Sequence, residues 1–196
     1  MVKLTLIQGD CMKVLPNMPS ESVDLILTDI PYGEVNRESA GLRSLDKKDA
    51  DVLNFDILNL MKEIIRIAKG SIYIFCGTEQ VSLIRKFFID NKLSTRLCIW
   101  EKTNPSPMNG QYLWLSSIEC CVFGRKPKAV FNEFCKSSVW RYKTKSNLLH
   151  PTEKPLDLFK YLISVSSNEG DIVLDPFLGS GTTMRACLEL KRNCIT

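Results

Sequence analysis

Short apolar runs recur along the chain and alternate with segments in which apolar residues return every three or four positions. The runs have the length of β-strands and cover Leu4–Gln8, Val23–Thr28, Ser71–Phe75, Arg96–Trp100, Glu119–Phe123 and Asp171–Leu174. The helical patterns begin after Asp56, after Thr78, at Pro155 and near Thr182. Because strands alternate with helices, the pattern predicts an α/β domain with a mostly parallel sheet.

Single residues predict how some of these elements begin, end and connect. Asp56 is a good helix cap, and Gly70 is the expected end of the helix that follows it. No helical pattern lies between the runs Arg96–Trp100 and Glu119–Phe123, which predicts a hairpin with a long loop. The length of 196 residues and the lack of a repeat or linker predict one domain over residues 1–196.

Positive charge is concentrated in one segment. Between Arg125 and Lys154 eight Lys and Arg residues stand against two Glu residues, an excess larger than the +4 of the whole chain. Such a local excess predicts a surface for a polyanion, although a solvated loop face has the same composition. A second polar segment, residues 33–53, also carries Arg and Lys.

Composition argues against membrane, metal and disulfide proteins. No apolar run approaches the roughly 20 residues that span a bilayer, and the N-terminus has no signal-peptide pattern. The eight cysteines form no C-x-x-C pair and the chain has one histidine, so no metal site is predicted. We expect a cytoplasmic protein with reduced, mostly buried thiols.

A glycine-rich turn follows the last of the predicted strands. In Val173–Thr183 an apolar strand ends at Asp175, and Gly179 and Gly181 lead into a helix that begins near Thr182. In open α/β sheets ligands bind beyond the carboxyl ends of the strands, and free N–H groups at a helix start favour an anion. The segment is not a P-loop, because no Lys follows the second glycine. It predicts a cofactor site.

A second motif, Asp29-Ile30-Pro31-Tyr32, ends the strand at Val23–Thr28. Such a turn could hold a planar amine, for example the exocyclic amine of a nucleobase. This amine is a poor nucleophile because its lone pair is delocalised into the ring. The Asp29 carboxylate and the Ile30 carbonyl supply two acceptors that would localise this lone pair as the transition state forms. Pro31 fixes the turn, and Tyr32 offers a face on which a flipped base can stack.

In this order along the chain, the two motifs closely resemble those of the permuted, beta-type DNA amino-methyltransferases. The resemblance implies a Rossmann-like S-adenosylmethionine-dependent methyltransferase fold and catalytic roles for Asp29, Ile30, Pro31 and Tyr32. It places the cofactor's adenine near the segment Gly9–Cys11 and its methionine carboxylate near Lys154. The implied cofactor-binding residues are Asp10, Cys11, Lys154, Asp175, Pro176, Phe177, Gly179, Ser180, Gly181, Thr182 and Thr183.

The resemblance also implies double-stranded DNA as the partner. The segments 33–53 and 125–150 are the candidate DNA-recognition segments, and the second holds aromatic as well as basic residues. The candidate DNA-binding residues are Arg37, Arg43, Lys47, Asn104, Arg141, Lys143 and Lys145. A homodimer and a cognate restriction nuclease remain open as further partners.

Several activities remain open at this stage. Asp29 favours adenine N6 as the target, with cytosine N4 as the alternative; Ile30 stands where the family usually has its first proline. In the family a further strand after the glycine-rich helix carries the acid that holds the cofactor's ribose, and the residues Arg192–Thr196 precede that acid. A catalytically weak DNA-binding relic that lacks this last cofactor strand is therefore a rival. Methylation of RNA or of a protein amide is a weaker one.

Overall fold

The computed structural model describes residues 2–32, 56–107, 110–144 and 153–196. Strands and helices alternate over most of this part. The strands are β1 (Leu4–Thr5), β2 (Val23–Asp29), β3 (Ala68–Cys76), β4 (Ser94–Lys102), β5 (Ile118–Arg125), β6 (Val139–Tyr142), β7 (Ile172–Leu174) and β8 (Asn193–Ile195). The α-helices are α1 (Cys11–Val14), α2 (Ile57–Ile67), α3 (Val81–Asp90), α4 (Leu156–Ser166) and α5 (Thr182–Glu189).

The strands of the described part form one sheet in the order β1-β8-β7-β2-β3-β5-β4-β6. Neighbouring strands run parallel except for β5, which is antiparallel to both β3 and β4. The predicted mostly parallel α/β sheet is therefore confirmed, and so is the hairpin of β4 and β5. We had not predicted β6, which pairs with β4 over four residues.

Helices cover the two faces of the sheet. Ile26 and Ile72 belong to one hydrophobic cluster, which contains Leu60 and Met61 of α2 and Ile84 of α3. The next residues along these strands belong to the other cluster, with buried side chains from α4 and α5 that include Leu158, Phe159, Leu162, Ile163, Ala186 and Cys187. This alternation is expected for strands with both faces buried. In the described part of the chain no helix is long and apolar enough to cross a membrane.

The prediction that Gly70 ends α2 is wrong. The helix ends at Ile67, strand β3 begins at Ala68, and Gly70 lies inside that strand. A Cβ atom at this position would lie 2.1 Å from the backbone oxygen of Asp24 in β2. Glycine is therefore required by a close approach between two backbones rather than by a helix cap.

The last residues of the chain form a strand. Asn193–Ile195, as β8, pairs in parallel with both β1 and β7. The premise that the chain lacks the strand after the glycine-rich helix is therefore wrong, because three residues suffice to fill the place between β1 and β7.

The strand directions bring several strand ends to one edge of the sheet. Strands β2, β3 and β7 are parallel, so Asp29, Cys76 and Leu174 lie at the same edge. Since β5 is antiparallel to β3 and β4, this edge also holds the start of β5 at Ile118 and the end of β4 at Lys102. We call it the carboxyl edge.

Candidate active site

Both sequence motifs lie at the carboxyl edge, on neighbouring strands. Asp29 is the last residue of β2, and Asp175 directly follows β7, which pairs with β2. One hydrogen bond joins them, because Thr28 Oγ1 donates to Asp175 Oδ1 over 2.9 Å. The Asp29 turn and the glycine-rich turn are therefore adjacent.

Asp175 holds its own turn together. Besides Thr28, its carboxylate accepts hydrogen bonds from Thr183 Oγ1 at 2.5 Å and from the Phe177 N–H at 3.2 Å. Its side chain is buried, and burial raises its pKa to about 7 despite these donors. A carboxylate with three protein donors orders the backbone around it. We therefore expect Asp175 to shape the cofactor turn rather than to contact the cofactor.

The raised pKa of Asp175 predicts a pH dependence of stability. Between about pH 4 and pH 7 the folded state binds more protons at this residue than the unfolded state, so this group makes the protein less stable as pH rises. In Asp175→Asn this contribution is absent. Between pH 5 and pH 8 the free energy of unfolding of the variant, measured with urea, should rise relative to that of the wild type by on the order of 2 kcal/mol. A difference that stays constant over this range would contradict the protonation of Asp175.

The glycines after Asp175 adopt conformations that other residues avoid. Gly179 has φ of 52° and Gly181 has φ of 74°, and α5 begins at the next residue, Thr182. Ser180 Oγ and Thr182 Oγ1 are 3.0 Å apart. The turn thus presents hydroxyl groups together with the N–H groups of the first turn of α5, a combination that suits an anionic group such as a carboxylate.

An apolar pocket lies between this turn and the N-terminal segment. Leu174 and Pro176 line it from β7 and its turn, Gly9 and Cys11 line it from the N-terminal side, and Ile195 lines it from β8. Asp10 caps α1, since its carboxylate accepts from the Met12 N–H at 2.9 Å. Burial raises the pKa of the Cys11 thiol, which keeps it neutral. The predicted adenine segment and Pro176, which directly follows Asp175, thus line one pocket.

The Asp29 turn is held by the neighbouring strand β3 and by Gln80. The Ile30 N–H donates to the Phe75 carbonyl at 3.1 Å, and Gln80 Nε2 donates to the Pro31 carbonyl at 3.1 Å. Tyr32 donates its hydroxyl to Asp29 Oδ1 at 2.7 Å. The side chain predicted as a stacking face is therefore also tied to the predicted catalytic carboxylate.

Lys154 joins the two motifs. Its Nζ lies 2.5 Å from Asp29 Oδ2, 3.3 Å from the Tyr32 hydroxyl and 3.0 Å from Glu119 Oε2. Its backbone oxygen accepts a weak hydrogen bond from Thr182 at 3.5 Å. The sequence prediction placed this ammonium beside the cofactor's methionine carboxylate. In the structure it pairs with Asp29 and with a second acid, Glu119.

The pKa values around Lys154 describe a charged cluster. Burial alone would lower the pKa of Lys154, but Asp29 and Glu119 outweigh it and raise that pKa well above its usual range. Burial raises the pKa of Asp29, and the Lys154 ammonium partly offsets this. For Glu119 burial also acts to raise the pKa, but Lys154 and Lys102 together bring it below the ordinary value.

The candidate DNA-binding residues are distributed unevenly. Arg141 and Lys143 are exposed at the end of β6, near the carboxyl edge, and Arg141 pairs with Glu101 at 3.0 Å. Asn104 holds the backbone of Thr144 from both sides, so its amide is used within the protein. Arg37, Arg43, Lys47 and Lys145 lie outside the described residues.

Three site residues were missed from the sequence, namely Thr28, Gln80 and Glu119. A Thr inside an apolar strand and a Gln at a helix start carry no chemical signal on their own. Glu119 carried one, because it is an acid directly before the buried run Cys120–Val122. A charge at the end of a buried strand needs a partner, and here it has both Lys154 and Lys102.

The site fits S-adenosylmethionine by the chemistry of its parts. An apolar pocket beside Cys11 and Pro176 suits an adenine ring, and the turn around Ser180 and Gly181 suits the amino-acid end of the molecule. The Asp29 carboxylate, on the strand next to this turn, is a hydrogen-bond acceptor of the kind that would suit a target amine. These parts lie at the ends of β7 and β2, where ligands of α/β sheets bind.

The chain is similar to known DNA methyltransferases. The model of the DNA methylase family of N6 and N4 methyltransferases matches residues 23–196. The type II methyltransferase M.HinfI of Haemophilus influenzae is 32% identical over 97% of this chain and 63% of its own length. The DNA adenine methyltransferase YhdJ of Escherichia coli is 31% identical over 91% of this chain and 72% of its own length. This chain therefore spans less than two thirds of M.HinfI.

A solved structure shares the fold. The complex of M1.HpyAVI with S-adenosylmethionine superposes with a TM-score of 0.76 at 30% identity, covering 98% of this chain and 92% of that one. The predicted S-adenosylmethionine-dependent methyltransferase fold is confirmed by this likeness. With both motifs of its site inside the matched residues, the chain belongs to the N6-adenine and N4-cytosine family of DNA methyltransferases.

Proposed function

We propose that this chain transfers the methyl group of S-adenosylmethionine to the exocyclic N6 amine of adenine in double-stranded DNA. The observation that carries the proposal is the joining of the two turns, in which Asp29 stands at the end of β2 and Thr28 bonds to the acid of the cofactor turn. The order of the motifs, Asp29 before Asp175, is that of the beta-type enzymes. The adenine-specific relative YhdJ supports adenine over cytosine.

Asp29 is the group that acts on the target amine. Its carboxylate accepts a hydrogen bond from the amine and localises the nitrogen lone pair, which then forms the new N–C bond. The nitrogen becomes positively charged in this step, and one of its protons passes to Asp29. Tyr32 and Lys154 hold the two carboxylate oxygens in place, so the acceptor is positioned before the substrate binds.

The remaining residues of the site hold the cofactor. When bound, S-adenosylmethionine supplies a methyl group on a positively charged sulfur, which departs as a neutral thioether. The turn at Gly179–Gly181 and the first turn of α5 would hold its amino-acid end, and the pocket at Cys11 and Pro176 would hold its adenine. Asp175 and Thr183 hold the turn itself.

Product analysis tests the proposal directly. The purified protein is incubated with duplex DNA and S-adenosylmethionine that carries an isotope-labelled methyl group, and the nucleosides are analysed by mass spectrometry. We expect labelled N6-methyladenine. Labelled N4-methylcytosine would support the alternative activity, and binding of DNA without any labelled nucleoside would support the relic.

Cofactor binding should depend on the conformation of Gly181. Valine at φ of 74° is strained by about 1–3 kcal/mol and would turn the N–H groups before α5 away from their present directions. We expect Gly181→Val to raise the dissociation constant of S-adenosylmethionine at least about tenfold, measured by calorimetry. Gly170→Val is the matched control, because Gly170 has φ of 87° but lies before β7, at the other end of that strand. If both variants weakened S-adenosylmethionine binding equally, the proposal that the turn at Gly179–Gly181 holds the cofactor would be wrong.

DNA binding should depend on Lys143. This exposed residue follows β6 at the carboxyl edge, and a lost phosphate contact lowers the salt dependence by about 0.9 log units per log unit of salt on duplex DNA. We expect Lys143→Ala to weaken binding to all sequences and to flatten that slope, measured by fluorescence anisotropy. Lys92→Ala removes the same charge just before β4, at the opposite edge, and should leave both unchanged. A Lys143→Ala slope equal to that of the wild type would place the DNA surface elsewhere.

Further parts of the proposal concern partners and location. The segments 33–53 and 125–150 are proposed to recognise DNA, within a single methyltransferase domain of residues 1–196. Their basic composition supports this role. A homodimer, a cognate restriction nuclease and a cytoplasmic location complete the proposal; the type II designation of M.HinfI supports the nuclease.

A further inference from the structure

A second acid lies in the site without a part in the chemistry described above. Glu119 is the second residue of β5, and the following residue, Cys120, pairs with Cys76 at the end of β3. Asp29 of β2 pairs with Phe75 in the same register. The sheet therefore brings Glu119 to the carboxyl edge, two strands away from Asp29.

Glu119 and Asp29 share one ammonium group. Lys154 Nζ lies 3.0 Å from Glu119 Oε2 and 2.5 Å from Asp29 Oδ2, and its side chain is only 6% exposed. The other oxygen of Glu119 lies 2.9 Å from Lys102 Nζ. Two carboxylates and two ammonium groups thus alternate in a row from β4 to β2, and their charges balance.

This arrangement limits where the Lys154 ammonium can lie. A lysine has a flexible stem and three donors that can rotate, so one carboxylate alone fixes its position poorly. A second carboxylate on a different strand fixes it from another direction, and Lys102 in turn holds that carboxylate. The position of Lys154 then determines the orientation of the Asp29 carboxylate, because the two are in direct contact.

We propose that Glu119 is a positioning residue for methyl transfer, which holds Lys154 charged and in place and thereby aims the Asp29 carboxylate at the target amine. The inference rests on the proposed function, since it gives Glu119 a task in that reaction. Glu119 itself need not touch the substrate.

The other ionisable groups near Glu119 and Lys154 should not interfere with a test that varies the pH. Burial raises the pKa of Tyr32 well above its usual value, and it raises the pKa of Cys76 to about 12. Burial also raises the pKa of the Cys120 thiol. Among the described residues, the remaining charges are Lys102, which faces Glu119, Glu79, which acts on both thiols, and Asp175, whose pKa of about 7 lies below the alkaline range of the test.

Glu119→Gln keeps the shape of the side chain and removes its charge. The single-turnover methylation rate should fall between about 10- and 100-fold through misplacement of Asp29, while the dissociation constant of S-adenosylmethionine changes less than twofold. Removal of one of the two carboxylates should lower the pKa of Lys154, so the rate should decline at lower alkaline pH than in the wild type.

Two further variants separate charge, placement and general stability. Glu119→Asp keeps the charge on a shorter side chain, so its methylation rate should fall while the alkaline decline of the rate stays at the wild-type pH. It also allows the test if Glu119→Gln does not fold. Glu63→Gln breaks another ion pair, to Arg66 at 2.6 Å on α2, and should leave the methylation rate and its alkaline decline unchanged. The inference would be overturned if Glu119→Gln had the methylation rate and the alkaline decline of the wild type, or if Glu63→Gln lost as much rate as Glu119→Gln.

A titration without turnover distinguishes this inference from the proposed function. With lysine labelled with ¹³C at Cε, the Lys154 signal is assigned by its loss in Lys154→Arg and followed by NMR up to pH 11. We expect the Lys154 signal of the wild type to stay constant over this range and that of Glu119→Gln to begin to shift as the pH rises. If the wild type methylates no DNA, the proposed function fails while the titration still tests the pairing; if the titration is the same in both proteins, the inference fails.

Discussion

Replacing Asp29 by alanine is expected to lower the rate of methyl transfer by at least about 100-fold, the usual cost of removing a preorganised group that stabilises the transition state. The acceptor for the target amine is then missing, and water in its place is not oriented. Binding of S-adenosylmethionine should remain within a few fold, because the glycine turn and the Thr28–Asp175 hydrogen bond are not altered. Single-turnover methylation and calorimetry measure the two quantities.

The fold should tolerate this replacement. Lys154 keeps Glu119 as a partner in Asp29→Ala, so no unpaired charge is left buried. Asp56→Ala is the matched control for the loss of an acid, because Asp56 caps α2 and its replacement weakens the helix by about 1 kcal/mol without touching the site. Near-normal turnover in Asp29→Ala would show that the catalytic assignment is wrong.

Replacing Lys154 by methionine is expected to have the largest effect on stability. Methionine fills a similar volume, but Asp29 and Glu119 then lose the ammonium that lies between them. Removing one partner of a buried ion pair typically costs about 3–5 kcal/mol, because the remaining charge stays buried. The free energy of unfolding, measured with urea at pH 8, should fall by about this amount.

The loss should be smaller at low pH. Without Lys154, Glu119 keeps Lys102, but Asp29 has no ammonium to offset its burial, which raises its pKa in the folded state. The folded protein then binds more protons than the unfolded one at mildly acidic pH. The stability of the variant therefore falls as pH rises, and its deficit against the wild type should be larger at pH 8 than at pH 5. Lys160→Met removes a surface partner of Glu189 and should cost much less at either pH. A deficit that does not vary with pH would contradict this account.

Local patterns were sufficient to predict most of the fold. Helix α5 begins at Thr182 as predicted, and α4 begins one residue after the predicted Pro155, because caps and apolar spacing are properties of neighbouring residues. The strands β6 and β8 were missed because Arg141 interrupts the apolar residues of the first and Asn193 leaves only two in the second, so neither forms an apolar run of strand length. Gly70 was misread, since the close approach of Asp24 depends on how two distant strands pair.

Part of the candidate site was predictable because it lies in continuous segments of the chain. The turns at Asp29 and Gly179–Gly181 are continuous segments, and the strand order brings them together as expected. The partners of Lys154 were not predictable, because Glu119 reaches it only through the register of β5 on β3. Gln80 likewise supports Pro31 from the start of another helix. Contacts between distant segments require the sheet to be assembled first.

The hydrogen bond from Thr28 to Asp175 has a consequence for how such a protein can evolve. It links the strand that carries the Asp29 turn to the turn that precedes α5, inside the sheet and away from the surface. The spacing between methyl donor and acceptor is therefore a property of the core. A change of sequence in the proposed DNA-recognition segments therefore leaves this spacing unaltered, so target choice and methyl transfer can evolve independently.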